Sequence, residues 1–191
     1  MSKGTLLVLT GASSVGKSAI RDCLLEDESL HLFYSISMTT RPQKETEKDG
    51  IDYYFVDRKT FADAVRNHEF LEYTQFDGYY YGTPLAYIEF LLHIGKNVLL
   101  EVEAQGVGQI KLRYPDALSA FVVPESMEEL EKQIRARYND PASADLRVNK
   151  ASMEMELSSL FRHQVKNVDA QKAKEEIAAM LFEHQAKKAG A

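Results

Sequence analysis

Cysteine is almost missing from this chain, with Cys23 the single thiol in 191 residues. That excludes an internal disulfide framework and leaves no second sulfur for a thiolate metal site or a dithiol redox pair. Cys23 falls in a predicted helix and reads as a small core residue. Long apolar runs are missing too: nothing is long enough to cross a bilayer, and MSKGTLLVLTG has neither the apolar stretch nor the cleavage site of a secretory leader. The expectation is a cytoplasmic protein with no membrane partner. Nor is there an excess of positive charge. Only 23 Lys and Arg stand against 29 Asp and Glu, giving a formal charge of −6 and a pI near 5.4. No broad basic footprint for nucleic acid is available, so any anion site has to be local. Internal repeats and low-complexity tracts are absent as well.

What is there is the balance of a packed globular protein, 45% hydrophobic and 27% charged. The length argues for one domain, with room for insertions. Short β-prone runs alternate with longer segments of helical periodicity, the pattern of a parallel sheet covered by helices. TLLVLT does not alternate and so reads as a strand buried on both faces; NVLLEV (97–102), LSAFVV (118–123) and HQVKNV (163–168) read as further strands. A helix is expected to begin near Lys17. Thr83 and Pro84 offer a cap and a first helical residue, and Gly95 suits the left-handed stop after LAYIEFLLHI. Ser126 and Glu129 have capping-box spacing. A long amphipathic helix ends the chain.

Two stretches break the alternation. From Ser35 to Thr83 a turn-rich loop, TTRPQKETEKDG, leads into aromatic strands DYYFV and FLEYTQF, with Asp77-Gly78 as a hairpin turn. Between Arg137 and Arg147, RYNDPASADLR reads as a mobile loop between two helices.

The segment GASSVGKS contains the spacing G-x-x-x-x-G-K-[ST], with Gly11, Gly16, Lys17 and Ser18 between a predicted strand and a predicted helix. In that context backbone N–H groups curl around a phosphate, the helix N-terminus adds partial positive charge, Lys17 reaches the outer phosphates and Ser18 can ligate Mg²⁺. The phosphate loop is therefore expected to run through Gly11, Ala12, Ser13, Ser14, Val15, Gly16, Lys17 and Ser18. It does not identify the acceptor, because many phosphoryl-transfer and motor proteins share it.

The acceptor side carries a resemblance. SISMTTRPQKETEKDGIDYYFV followed by EFLEYTQFDGYYYGTP resembles the nucleotide-binding insertion of guanylate kinases. That insertion runs S-x-S-x-T-T-R-x-x-R-x-G-E-x-x-G-x-x-Y-x-F and then E-F-x-E, with Y-G-T further on. LLEVEAQGV and PESMEELEKQIRARY extend the likeness, in order, over nearly the whole chain. The resemblance implies transfer of the γ-phosphoryl group of ATP to GMP or dGMP, giving ADP and GDP, with Mg²⁺ accompanying ATP. It implies that Arg41, Lys44, Tyr53 and Tyr81 grip the GMP phosphate. Glu72 and Glu103 accept from guanine, Ser37 and Thr83 are hydroxyl partners, and Glu101 stands beside Ser18 at the metal. Asn167 becomes a base contact on the ATP side. Lys17, Arg41, Arg137 and Arg147 share the charge of the transferring group. The implied fold is a three-layer α/β core with a central parallel sheet (1–34, 84–125 and 157–191), a mixed α/β GMP-binding insertion (35–83) and a helical lid (126–156). The whole, 1–191, is expected as a single domain, a monomer or homodimer.

Taken singly, several of these residues have plainer readings. Arg41 is also what a solvated surface charge looks like, and Glu72 in an aromatic strand would alternate outward without any function. Glu101 and Glu103, two apart, would point the same way off a strand end. The chain also departs from the family pattern. Ser14 stands where glycine is usual, Lys44 forfeits the bidentate fork of an arginine, Glu103 is one methylene longer than aspartate, and Gln133 takes a position that is often arginine. A related kinase acting on another phosphorylated acceptor, such as a ribose bisphosphate, and a guanylate-kinase-like binding module without catalysis are the alternatives.

Overall fold

The computed structural model describes residues 3–190; Met1, Ser2 and Ala191, which the expected 1–191 domain takes in, lie outside the described residues. TLLVLT supplies β1 (Leu6–Gly11), buried along its whole length. Leu7 and Leu9 belong to one apolar cluster and Leu6 and Val8 to another. Both faces of the strand are covered, which is the physical reason its sequence is apolar without alternation. β1 is the middle strand of a five-stranded parallel sheet ordered β2-β7-β1-β8-β9. The other strands of the sheet are β2 (Leu32–Tyr34), β7 (Asn97–Glu101), β8 (Leu118–Val123) and β9 (His163–Lys166). The edge strand β2 is absent from the sequence reading, because three residues are too few to display a period.

Helices cover the sheet on both sides. On one side α1 (Lys17–Glu26), α5 (Met127–Arg137), α6 (Pro141–Glu156) and α7 (Ala170–Ala189) bring Ile20, Leu24, Ile134, Ala151, Ile177 and Leu181 against Leu7 and Leu9. On the other, α3 (Leu85–His93) and α4 (Gly106–Arg113) bring Ile88, Leu91 and Ile110 against Leu6, Val8 and Leu100. The result is the expected mixed α/β architecture with a central parallel sheet. Cys23 is only half-buried on α1, not a core residue.

Between β2 and α3 the chain builds a second, four-stranded sheet ordered β4-β3-β6-β5. Its strands are β3 (Met38–Thr39), β4 (Tyr54–Phe55), β5 (Phe70–Phe76) and β6 (Tyr79–Pro84). Asp77 and Gly78 turn β5 into β6 with φ of 52° and 75°, the two positive values that a tight hairpin demands. DYYFV contributes only two strand residues, which run parallel to β3, while Tyr53 makes an isolated bridge to Asp49. A helix that sequence reading missed, α2 (Arg58–Arg66), covers this sheet; Asp57 caps it by accepting from the Thr60 N–H. Its Phe61 stacks on Phe70 at 4.6 Å and on Tyr80 at 5.5 Å.

Two other expectations change. Pro84 is the N-cap of α3 rather than its first residue, and the cap makes no side-chain hydrogen bond, because a proline ring has no acceptor; the Thr83 hydroxyl, one residue earlier, is engaged elsewhere. The predicted loop from Arg137 to Arg147 is mostly helix. Asp140 accepts from the N–H and hydroxyl of Ser143 at 2.9 and 2.7 Å, and Pro141 follows it at the first helical position. The Asn, Asp and Pro that read as turn residues are a helix start.

Packing of α7 closes the larger cluster. Ile177→Ala, at a fully buried site, is expected to destabilise the fold by about 2–5 kcal/mol in urea unfolding. Phe182→Ala on the same helix, 48% exposed, is expected to stay within about 0.5 kcal/mol; equal losses at both positions would contradict this packing.

Candidate active site

The parallel strands deliver their C-terminal ends to one edge, and a cavity of about 380 Å³ opens there between the two sheets and α6. β1 hands the chain to a loop that must reverse tightly. Gly11, Ser14 and Gly16 have φ of 141°, 66° and 90°, so a non-glycine residue occupies the left-handed region at Ser14. Ser13, Ser14, Lys17 and Ser18 line the cavity, whereas Gly11 and Ala12 are buried behind the loop. Lys17 Nζ donates to the carbonyls of Gly11 and Ala12 at 2.8 and 3.0 Å, folding its ammonium over the loop. Burial lowers the Lys17 pKa, and the charge of Glu154 opposes that shift most.

Beside the loop, the Ser18 hydroxyl lies 3.4 Å from Glu101 Oε1, and Arg21 Nη1 donates to Glu101 Oε2 at 3.2 Å. These are hard oxygen donors at the end of β7. Among the described residues no cluster of three or more His, Cys, Asp or Glu forms a self-contained metal cage. Glu103 lies past the strand end and has other partners. Its Oε1 pairs with Lys150 of α6, and its Oε2 accepts from Gln105 Nε2 at 3.1 Å. Glu101 and Glu103 both line the cavity but take different partners, Glu103 standing past the end of the strand.

The opposite wall comes from the smaller sheet. Arg41 makes a bidentate pair with Glu47, 3.0 Å from Nη1 to Oε2 and 2.8 Å from Nη2 to Oε1, and its guanidinium lies 5.5 Å from the Tyr53 ring centre. A planar fork on a carboxylate is the geometry that also suits a phosphate. Ser37, Lys44, Tyr53 and Tyr81 line the same wall; burial raises the pKa of both tyrosines, so the two hydroxyls keep their protons.

Glu72 sits at the floor, 5% exposed, contrary to the outward alternation its strand suggests. The cause is a β-bulge. The register shifts between Phe70 and Glu72, setting Glu72 directly opposite Thr83, and an extra residue re-aims the side chains that follow it. The Thr83 hydroxyl donates to Glu72 Oε1 at 2.5 Å. Burial, reinforced by the nearby charge of Glu103, pushes the Glu72 carboxyl up to about 7. Room for it exists because residue 106 is glycine: a Cβ there would stand 2.4 Å from Glu72 Oε2.

Helix α6 forms the roof. Arg147 lies 4.8 Å from the centre of the Phe76 ring and Lys150 Nζ 3.4 Å from it. Arg137, by contrast, is exposed at the end of α5 and does not line the cavity. Asn167 also lies apart. Its amide donates to the Val15 carbonyl at 2.7 Å, and with Val15 and Gly16 it lines a second cleft of about 370 Å³ on the far side of the loop. The site thus gathers 13 sequence-predicted residues: Ser13, Ser14, Lys17, Ser18, Ser37, Arg41, Lys44, Tyr53, Glu72, Tyr81, Glu101, Glu103 and Arg147. Sequence reasoning missed Glu47, Phe76, Lys150 and Glu154. Glu47, six residues after Arg41, carried a usable signal; the helix residues carried none.

A family model described as guanylate kinase matches residues 3–184. The chain is 44% identical over 180 residues to a guanylate kinase of Thermus thermophilus, covering 94% of this chain and 81% of that protein. The crystal structure of a guanylate kinase from Anaplasma phagocytophilum superposes with a TM-score of 0.80 at 29% identity, covering 96% of this chain and 87% of that one. A gluconokinase structure from Sinorhizobium meliloti, at 13% identity and a TM-score of 0.50 over 96% and 94% of the two chains, shares the fold alone. A phosphate loop and a guarded acceptor wall on one cavity, and relatives matched along nearly the full length, lead to one assignment: the chain belongs to the guanylate kinase family.

Proposed function

We propose that the protein transfers the γ-phosphoryl group of ATP to GMP, and to dGMP, giving ADP and GDP. The observation that carries this reading is the convergence of Lys17 and Ser18 with Arg41 and the buried Glu72 on one cavity. The arrangement suits two anionic ligands meeting end to end. On the donor side, the phosphate loop and Lys17 receive the triphosphate. On the acceptor side, Arg41 exchanges Glu47 for the phosphate of GMP, with Lys44, Tyr53 and Tyr81 beside it.

Guanine presents an N1–H and a 2-amino group, and a carboxylate accepts from both. Adenine turns a lone pair toward the same oxygens, so a buried Glu72 discriminates strongly against it. Ser37 is the remaining hydroxyl for O6, since Thr83 is committed to Glu72. Catalysis by this site is mainly positioning and charge compensation, because the attacking phosphate oxygen is already anionic and needs no strong base. Arg147 of α6 supplies positive charge from above. Arg137 has to approach by a movement of α5 to take part.

Ser18 and Glu101 fit Mg²⁺. A hydroxyl and a carboxylate are the few hard oxygen donors that such an ion takes from protein when phosphates and water complete its shell. When bound, Mg²⁺ offsets charge on the phosphates. Residues 35–83 and 126–156 act as acceptor-binding insertion and lid on a core of 1–34, 84–125 and 157–191, a division supported by the separate four-stranded sheet. A cytoplasmic setting accords with a single cysteine.

A coupled assay of ADP release with GMP, dGMP, AMP and sugar phosphates tests the reading. GMP and dGMP are expected to be the preferred acceptors, and preference for a sugar phosphate would overturn it. Lys17→Ala is expected to abolish turnover, by at least about a thousandfold, with an unchanged circular dichroism spectrum. Gly106→Ala crowds Glu72 and should raise KM for GMP about tenfold or more with little change in KM for ATP.

The raised Glu72 pKa gives a further expectation. Below about 7 the carboxyl is protonated and loses acceptor capacity. GMP affinity, followed by calorimetry, should therefore fall as pH is taken from about 8 to about 6. Glu72→Gln should bind GMP weakly and keep only the slope due to protonation of the GMP phosphate. An identical pH dependence in both proteins would remove Glu72 from guanine recognition.

A further inference from the structure

Among the described residues two carboxylates are buried, Glu72 and Glu154, and the phosphoryl-transfer scheme gives a role only to the first. Glu154 is 8% exposed and projects from α6 toward the donor loop. Its Oε2 accepts the Ser13 N–H at 2.6 Å, a buried contact between residues 141 positions apart. Ser13 immediately precedes Ser14, whose φ of 66° places a residue with a Cβ where glycine is favoured. The loop therefore holds a strained conformation, and its neighbouring amide is pinned from outside the loop.

The second observation concerns charge. Lys17 is half-buried against the Gly11 and Ala12 carbonyls. Glu154, Glu101 and Glu103 favour its ammonium form and Lys150 opposes it, with Glu154 exerting the largest of these influences. Burial raises the pKa of Glu154, while Lys17 and Lys150 and the Ser13 hydrogen bond draw it back and Glu103 adds to the rise. The carboxylate thus serves the loop as a hydrogen-bond acceptor, in a surrounding where Lys17 and Lys150 favour its charged form.

We propose that Glu154 is a positioning residue of the donor site: a lid carboxylate that holds Ser13, and with it the left-handed Ser14, in the phosphate-cradling shape. It stands on the same face of α6 as Arg147 and Lys150, at spacings of seven and four. The same face that covers Phe76 and pairs with Glu103 on the acceptor wall also braces the donor loop. The inference rests on the donor-site reading of that loop.

ATP affinity, measured by calorimetry on the full chain, tests it without depending on turnover with GMP. Glu154→Gln keeps an acceptor oxygen and loses the charge. ATP affinity in this variant should stay within about threefold of the unaltered protein. Glu154→Ala loses both features and should weaken ATP about tenfold while GMP affinity stays within about twofold. Adding Ser14→Gly should restore most of that loss, because glycine holds the left-handed conformation without support. A loss in Glu154→Gln as large as that in Glu154→Ala would overturn the role of the Ser13 hydrogen bond. Unchanged ATP affinity in Glu154→Ala, or a loss that Ser14→Gly fails to relieve, would overturn the positioning role. Tight ATP binding in the unaltered protein without GMP turnover would instead count against the acceptor assignment.

Discussion

Burial of β1 on both faces is the constraint from which the site follows. A strand enclosed between two apolar clusters cannot slide or tilt without exposing leucines on one side. Its C-terminal end is therefore the most firmly held point in the sheet. The donor loop begins there, and its strained backbone is tolerable because the strand and α1 anchor both ends. Parallel neighbours on either side bring Glu101 and Val122 level with Leu9 and Gly11. Glu101 and the wall behind Gly11 thus inherit their positions from sheet register.

The cavity solves a charge problem particular to an acidic protein. A chain of net charge −6 must attract anions locally, and the cations that do so are kept in internal pairs: Arg41 with Glu47, Arg21 with Glu101, Lys150 with Glu103. Paired charges remain soluble inside a half-buried cleft, where an isolated one would be penalised. The Arg41 fork is already formed on a carboxylate, in the bidentate geometry that a phosphate also takes. Glu72 differs from these paired carboxylates: the Thr83 hydroxyl is its partner, and burial governs its carboxyl.

Much of this was legible beforehand because the signals are local. The phosphate loop announces itself through glycines whose backbone angles few other residues adopt, and the hairpin at Asp77-Gly78 through the same chemistry. The central strands show as unbroken apolar runs. Less legible were features resting on few residues or on competing meanings. The three residues of β2 carry no period, α2 lay inside a stretch read as strands, and Asn-Asp-Pro before α6 suited a turn as well as a cap. Thr83 was expected to cap a helix, yet its hydroxyl is bonded to Glu72.

By itself, the amino-acid order determined the element types, the donor loop, the family and thirteen of the side chains that share the cavity, since each depends on spacing within a few residues or on a motif read in order. Tertiary structure alone decided which charges meet. A bulge at Leu71 turns Glu72 inward, a missing Cβ at Gly106 makes space for it, and α6 carries Lys150 to Glu103 and Glu154 to Ser13 across 47 and 141 positions. Such contacts depend on register and on helix docking, which are settled only when the whole core packs, and no local pattern encodes them.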